Sequence, residues 1–108
     1  EAMRVEPRFR QVLVNTGRIA DANPAAAALL GIPREALLGR SALDFVAEPC
    51  REALWSELDA LAEAGEPRRF ATRVLAGAGP PVALDARGTR WSTRQRTLAL
   101  LTLRPTHV

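Results

Sequence analysis

Residues 16–40 read TGRIADANPAAAALLGIPREALLGR, and the turn and helix signals in this stretch decide the fold class. Thr16-Gly17 interrupts a strand-like pattern, and glycine supplies the backbone freedom that a tight turn needs. Asn23 stands directly before Pro24, an order typical of a helix with an N-cap and proline at its first position. The alanine-rich run ends at Gly31, a residue type that commonly terminates helices. The stretch predicts a hairpin turn, a second strand and a short helix in succession.

Further helices are predicted downstream of this stretch. Residues 33–38 begin with proline and are followed by glycine, and residues 41–46 can form one more capped turn. The longest periodic segment covers residues 49–65 and repeats leucine at helical spacing. Its apolar stripe consists of Leu54, Leu58 and Leu61, with Cys50 and Trp55 beside it.

Strand-like alternation occurs on both sides of the helical region. The turn at Gly17 separates two segments, and after Glu66-Pro67 the hydrophobic period changes from helical spacing to two. The five predicted strands cover residues 9–15, 18–22, 69–75, 82–87 and 97–103. The order is therefore two strands, three short helices, one longer helix and three strands.

The stretch that decides the fold resembles the opening of a PAS domain. The pattern G-x-I-x-x-x-N-x-A-A occurs at residues 17–26, and L-G and E-x-L-x-G follow at Leu30-Gly31 and residues 35–39. The resemblance covers about residues 9–104 and implies an α+β fold, a five-stranded antiparallel sheet with short helices and one longer helix on one face. Within the family, the chain is most similar to PAS domains of photosynthesis-gene repressors or of bacterial sensor histidine kinases.

The predicted domain organisation is simple. Residues 1–8 are an N-terminal flank or cloning remnant, residues 9–104 the PAS domain, and residues 105–108 the start of a linker to a following domain. With 47% hydrophobic and 25% charged residues, the composition is that of an ordinary globular domain. No apolar run reaches the roughly 20 residues needed to span a bilayer, so we expect a cytoplasmic location without a membrane partner.

The basic residues are all arginine, and the formal net charge is +3. The densest run contains Arg87, Arg90, Arg94 and Arg96, but Trp91 is the only aromatic residue among them. Because the arginines are otherwise spread along the chain, we expect no direct binding of nucleic acid by this domain.

Cofactor attachment patterns of the family are missing from this sequence. Haem-binding members usually present a histidine from the long helix, and the single histidine here is His107. Flavin-binding photosensors carry a cysteine in an Asn-Cys-Arg-Phe-type motif, which the surroundings of Cys50 do not match. We therefore expect no cofactor. One cysteine and one histidine also supply no ordinary metal site.

Two candidate roles remain open for the side chains of the long helix. Cys50 precedes Arg51 at a helix N-terminus, where it could act as a redox sensor or be a small, buried apolar residue. Trp55 could line a ligand cavity or belong to the core. If a small molecule binds between sheet and helices, the candidate pocket lining is Phe45, Leu54, Trp55, Leu58, Val74 and Leu84.

The function class that the resemblance implies is a sensory and docking module, not an enzyme. Such a domain would form part of a transcription regulator or sensor kinase and would pass on a signal by dimerising or docking. The carboxylates are scattered, and no Ser-His-Asp set is available. The alternative is a stand-alone small-molecule-binding protein or small enzyme.

The final predicted strand indicates where a partner would bind. Leu98 and Leu100 lie on one side of it, and Ala99, Leu101 and Leu103 lie on the other, so both sides are apolar. We expect a homodimer, or docking of a flanking helix, over the face that carries Leu101 and Leu103. Further predicted interface residues are Trp91 and, in the segment that would cover the sheet, Val5 and Phe9.

Overall fold

The structure is a computed structural model that describes residues 10–64, 66–77, 79–92 and 94–106. Its strands are β1 (Arg10–Asn15), β2 (Arg18–Ala22), β3 (Arg68–Val74), β4 (Val82–Ser92) and β5 (Thr97–Pro105). Its helices are α1 (Pro24–Leu30), α2 (Arg34–Leu37), a 3₁₀ helix (Ala42–Phe45) and α3 (Glu48–Ala64). The predicted order of strands and helices is confirmed.

The strands form one antiparallel sheet in the order β2-β1-β5-β4-β3. The last strand of the chain therefore lies in the middle, paired with β1 on one side and β4 on the other. We call the face that contacts α1 and α3 the inner face, and the opposite face the outer face. The predicted α+β architecture, a five-stranded antiparallel sheet with helices on one face, is confirmed.

The β1–β2 turn has the geometry that the sequence predicts at Gly17. The pair Asn15–Arg18 closes a two-residue loop, in which Thr16 has φ 52° and Gly17 has φ 81°. Two consecutive positive φ angles match the right-handed twist of the flanking strands. Glycine adopts this conformation without strain, whereas a β-branched threonine rarely does.

Asn23 fixes the junction between the sheet and the first helix. Its side chain is buried, and Oδ1 accepts hydrogen bonds from the backbone N–H of Ala26 (2.9 Å) and of Gln11 (3.1 Å). One side chain therefore caps α1 and connects it to β1. Gly31 ends α1 with φ 71°, so both predicted helix boundaries are confirmed.

The core lies between the inner face and the helices. α3 buries Leu54, Leu58 and Leu61 against the sheet, as its leucine stripe predicts. Gly88 in β4 makes this packing possible, because a Cβ atom there would lie 2.6 Å from Leu61 Cδ1. Gly88 also interrupts the hydrophobic alternation of the β4 sequence, so the sequence predicts that the strand ends at residue 87. In the structure β4 continues to Ser92, five residues further.

The prediction that Leu101 and Leu103 form an interface on an open sheet face is wrong. Both leucines point to the helical layer and belong to the main core, with 6% and 7% of their surface exposed. The outer face carries Leu98 and Leu100 instead. The alternation along β5 is as predicted, but a strand that is apolar on both sides does not itself indicate which side the helices cover. Val5, Phe9 and Gly65 lie outside the described residues.

Candidate functional site: the core cavity and the outer face of the sheet

A small cavity of about 50 Å³ lies between the sheet and the helices. Three of the predicted pocket residues line it: Phe45, Leu54 and Val74. Nearly all of its lining is aliphatic or aromatic, and Arg40 covers Phe45 from the outside with its guanidinium carbon 5.0 Å from the ring centroid. The volume exceeds what one water molecule needs but is well below the roughly 300–1,000 Å³ of pockets for drug-sized ligands. It suits a molecule of a few heavy atoms.

Thr72 on β3 contributes a hydroxyl group to this apolar cavity. The residue is 8% exposed, and its Oγ1 has no hydrogen-bond partner among the described residues. An unpaired buried hydroxyl costs about 1–3 kcal/mol, and it can both donate to and accept from a bound molecule. Sequence reasoning missed this residue. The signal was a polar side chain at an inward position, between Phe70 and Val74 in a period-two strand.

The remaining predicted pocket residues do not line the cavity. Leu84 is fully buried in the core. Trp55 and Leu58 line a separate groove of about 180 Å³ between α3 and the β1–β2 turn. Trp55 is 48% exposed, and its ring covers Gly17, where a Cβ atom would lie 2.9 Å from Trp55 Cζ3. The indole thus packs on the hairpin turn and does not enter the core cavity.

Cys50 is a free, half-buried cysteine in the first turn of α3. It packs against the main core, and its backbone N–H donates to the carbonyl of Ala47 (2.8 Å). The adjacent Arg51 directs its Nε to the carbonyl of Val46 (3.1 Å). The packing is compatible with a small apolar role, and a redox role stays a prediction. Among the described residues, no group of three or more His, Cys, Asp or Glu side chains could hold a metal ion.

The outer face of the sheet carries a second apolar cluster. Leu13 and Leu98 are buried there, and Ala20, Trp91 and Leu100 pack against them with part of their surface exposed. Trp91 is directly opposite Leu98, and Leu13 is directly opposite Leu100, so the cluster crosses β1, β5 and β4. We call these five residues the apolar strip. Of the predicted interface residues within the described chain, Trp91 belongs to it.

A protein-family model described as the PAS fold matches residues 12–106 of the chain. This match includes every strand and helix of the structure except the first two residues of β1. The chain belongs to the PAS family. The recognition that the sequence pattern suggested at residues 16–40 is thereby confirmed.

Solved structures give the same result for the fold. A PAS domain of an HTR-like protein from Haloarcula marismortui superposes with a TM-score of 0.81 at 20% identity, covering 93% of this chain and 83% of that one. A PAS domain of a two-component sensor histidine kinase gives 0.74 at 18% identity, with coverages of 91% and 85%. PAS-B of Drosophila melanogaster Cycle with bound ethylene glycol gives 0.79 at 11% identity, with coverages of 90% and 99%.

The family match is the basis for the functional class of this domain. No curated protein sequence matches the chain. Within the described residues, every helix is too short or too polar to cross a membrane. PAS domains are typical sensory modules of signalling proteins, so the coarse functional class follows from the family.

Proposed function

We propose that this PAS domain is a regulatory module of a bacterial sensor kinase or transcription regulator, and that it acts by homodimerisation and not by catalysis. The observation that supports this most directly is the apolar strip on the outer face. Trp91 and Leu100 keep part of their apolar surface in solvent, and aromatic residues are common energetic centres of protein interfaces. An isologous contact of two strips would bury both copies of this surface.

The dimer is tested by substituting the centre of the strip. Leu100→Arg places a charge in the proposed contact, and Ser56→Arg adds the same charge on the exposed side of α3. We expect light scattering to give the molar mass of a dimer for the wild type and for Ser56→Arg, and of a monomer for Leu100→Arg. A monomeric wild type at micromolar concentration, or a dimeric Leu100→Arg protein, would contradict the proposal.

We further propose that the core cavity binds a small polar molecule that acts as the signal. The unpaired Thr72 hydroxyl supports this, because a ligand with a donor or an acceptor would satisfy it. The ethylene glycol bound to Cycle PAS-B supplies a first probe of suitable size. The unpaired hydroxyl also keeps open a second candidate function, a stand-alone small-molecule-binding protein.

Ligand binding is tested by NMR titration of ¹⁵N-labelled protein with ethylene glycol. We expect saturable amide shifts at Thr72 and its neighbours in β3, and at least tenfold weaker binding to Thr72→Val, which keeps the shape and removes the hydroxyl. Shifts that do not saturate, or that are equal in the two proteins, would mean that the hydroxyl does not hold a ligand.

A further inference from the structure

Four exposed arginines lie beside the apolar strip on the outer face. β3 contributes Arg69 and Arg73, β4 contributes Arg87 and β5 contributes Arg104. All four alternate with residues that point to the core, which places them on the same side of the sheet as Trp91. We call them the arginine patch. Arg69 and Arg73 are four residues apart on β3, and the pairing of β3, β4 and β5 brings Arg87 and Arg104 beside them.

The strand register places like charges next to each other in this patch. Arg69 is directly opposite Arg87 in the β3–β4 pair. Like charges directly opposite on neighbouring strands destabilise a sheet. Asp85, opposite Arg104, is the one carboxylate on the outer face of the described β3, β4 and β5 strands. The patch therefore keeps a local charge excess of about three positive charges, four arginines less one aspartate.

Several arginines on other surfaces of the molecule have partners. Arg34 forms an ion pair with Asp21 (2.7 Å), and Arg68 forms one with Glu57, whose hydrogen bond and charge raise the pKa of the Arg68 guanidinium. Backbone carbonyls accept hydrogen bonds from three more: Arg18, Arg51 and Arg90. In contrast, no member of the arginine patch bonds to any residue of the described chain. Four arginines without partners therefore share one face of the sheet.

Small side chains lie between the arginines of the patch. Ala71 and Ala83 are exposed between the arginines, so a second backbone can approach the sheet closely. Because neighbouring strands are about 4.8 Å apart, the backbones of Arg69 on β3 and Arg87 on β4 are separated by about this distance. Carboxylates at positions i and i+4 of a helix are about 6 Å apart along its axis. A helix with an acidic stripe therefore has nearly the spacing of the arginines.

We propose that the arginine patch is the docking surface for an acidic, helical segment of a partner protein, separate from the homodimer contact of the apolar strip. Arginine forms paired hydrogen bonds with carboxylates, so each acidic side chain can satisfy one guanidinium. A nucleic acid fits less well, because the patch contains no aromatic side chain for base stacking and Asp85 would repel a phosphate.

The proposal is tested with a fluorescent helical peptide that carries glutamates at i, i+4 spacing, and with the same peptide carrying glutamine instead. We expect anisotropy to show saturable binding of the acidic peptide, little binding of the glutamine peptide, and weakening with added salt. The variant Arg69→Gln/Arg87→Gln should bind at least about tenfold more weakly. Its melting temperature should not fall, since the substitution removes a repulsive pair.

The control is Arg94→Gln, which removes an exposed arginine in the β4–β5 turn, outside the patch, and it is compared with the single variant Arg87→Gln so that each removes one positive charge. We expect Arg94→Gln to bind the acidic peptide nearly as well as the wild type. Equal weakening by Arg94→Gln would mean that net charge and not the patch attracts the peptide. Tighter binding of a single-stranded oligonucleotide than of the acidic peptide, or no binding of the peptide at millimolar concentration, would also overturn the proposal.

Discussion

The two faces of the sheet are built from the same strands but have opposite surroundings. On the inner face, Leu84, Leu101 and Leu103 are buried under the helices, and Thr72 is the exception with an unpaired polar atom. On the outer face, the apolar strip is partly exposed to solvent, and the four arginines of the patch beside it have no partners in the described chain. Packing of the inner face therefore specifies the fold. The outer face keeps apolar and charged side chains that the folded domain itself does not bury or pair. Interactions with other proteins are therefore expected there.

The largest expected difference between the faces is in stability. Leu84→Ala removes a fully buried side chain from β4 and should lower the free energy of unfolding by about 3 kcal/mol, because it leaves a cavity. Leu100→Ala on the outer face should lower it by about 1 kcal/mol or less, measured on the monomer at low protein concentration. Urea unfolding of both variants gives the comparison. Equal losses would mean that the outer face is as important for folding as the core.

A second pair of variants measures how the hairpin turn depends on α3. Gly17→Ala and Gly39→Ala both place a side chain at a φ near +80°, but only at position 17 would the Cβ atom meet Trp55. We expect a loss of about 1 kcal/mol at Gly39 and about 2 kcal/mol at Gly17, by thermal or urea unfolding. Identical losses would show that the contact between Trp55 and the turn contributes nothing.

The smallest expected effect has the opposite sign. Thr72→Val removes an unpaired hydroxyl from an apolar cavity, so in the absence of ligand the variant should be more stable by about 1 kcal/mol. Thr89→Val, on the outer face, is the matched control and should be nearly neutral. A destabilised Thr72→Val protein would show that the hydroxyl has a structural partner and would weaken the case for a ligand.

Local signals in the sequence predicted most of the fold. Asn23, Gly17 and Gly31 act through their nearest neighbours, so their roles as cap, turn and helix end could be inferred from the sequence alone. The two sides of β5 were also separated correctly. Which side meets the helices depends on the pairing of β5 between β1 and β4, a long-range property that no single strand contains.

The candidate sites were harder to predict, for the same reason. The arginine cluster that is densest in sequence divides between the faces: Arg87 points outward, whereas Arg90 donates to the carbonyl of Ala62 in α3 at 3.4 Å. Arg87 instead joins Arg69, which is distant in the chain. Trp55 was a candidate for the pocket lining or for the core because it lies beside the leucine stripe, but one position along a helix rotates a side chain by about 100°. It therefore lies over the hairpin turn.

In the proposed dimer, the outer face and not the helical layer contacts a second copy of the chain. NMR cross-saturation tests it most directly, in a dimer of one deuterated, ¹⁵N-labelled copy and one unlabelled copy. We expect loss of amide signal at Trp91 and Leu100 of the apolar strip, and none at Glu52 and Ser56 on the exposed side of α3. Signal loss confined to α3, with the strip unaffected, would contradict it.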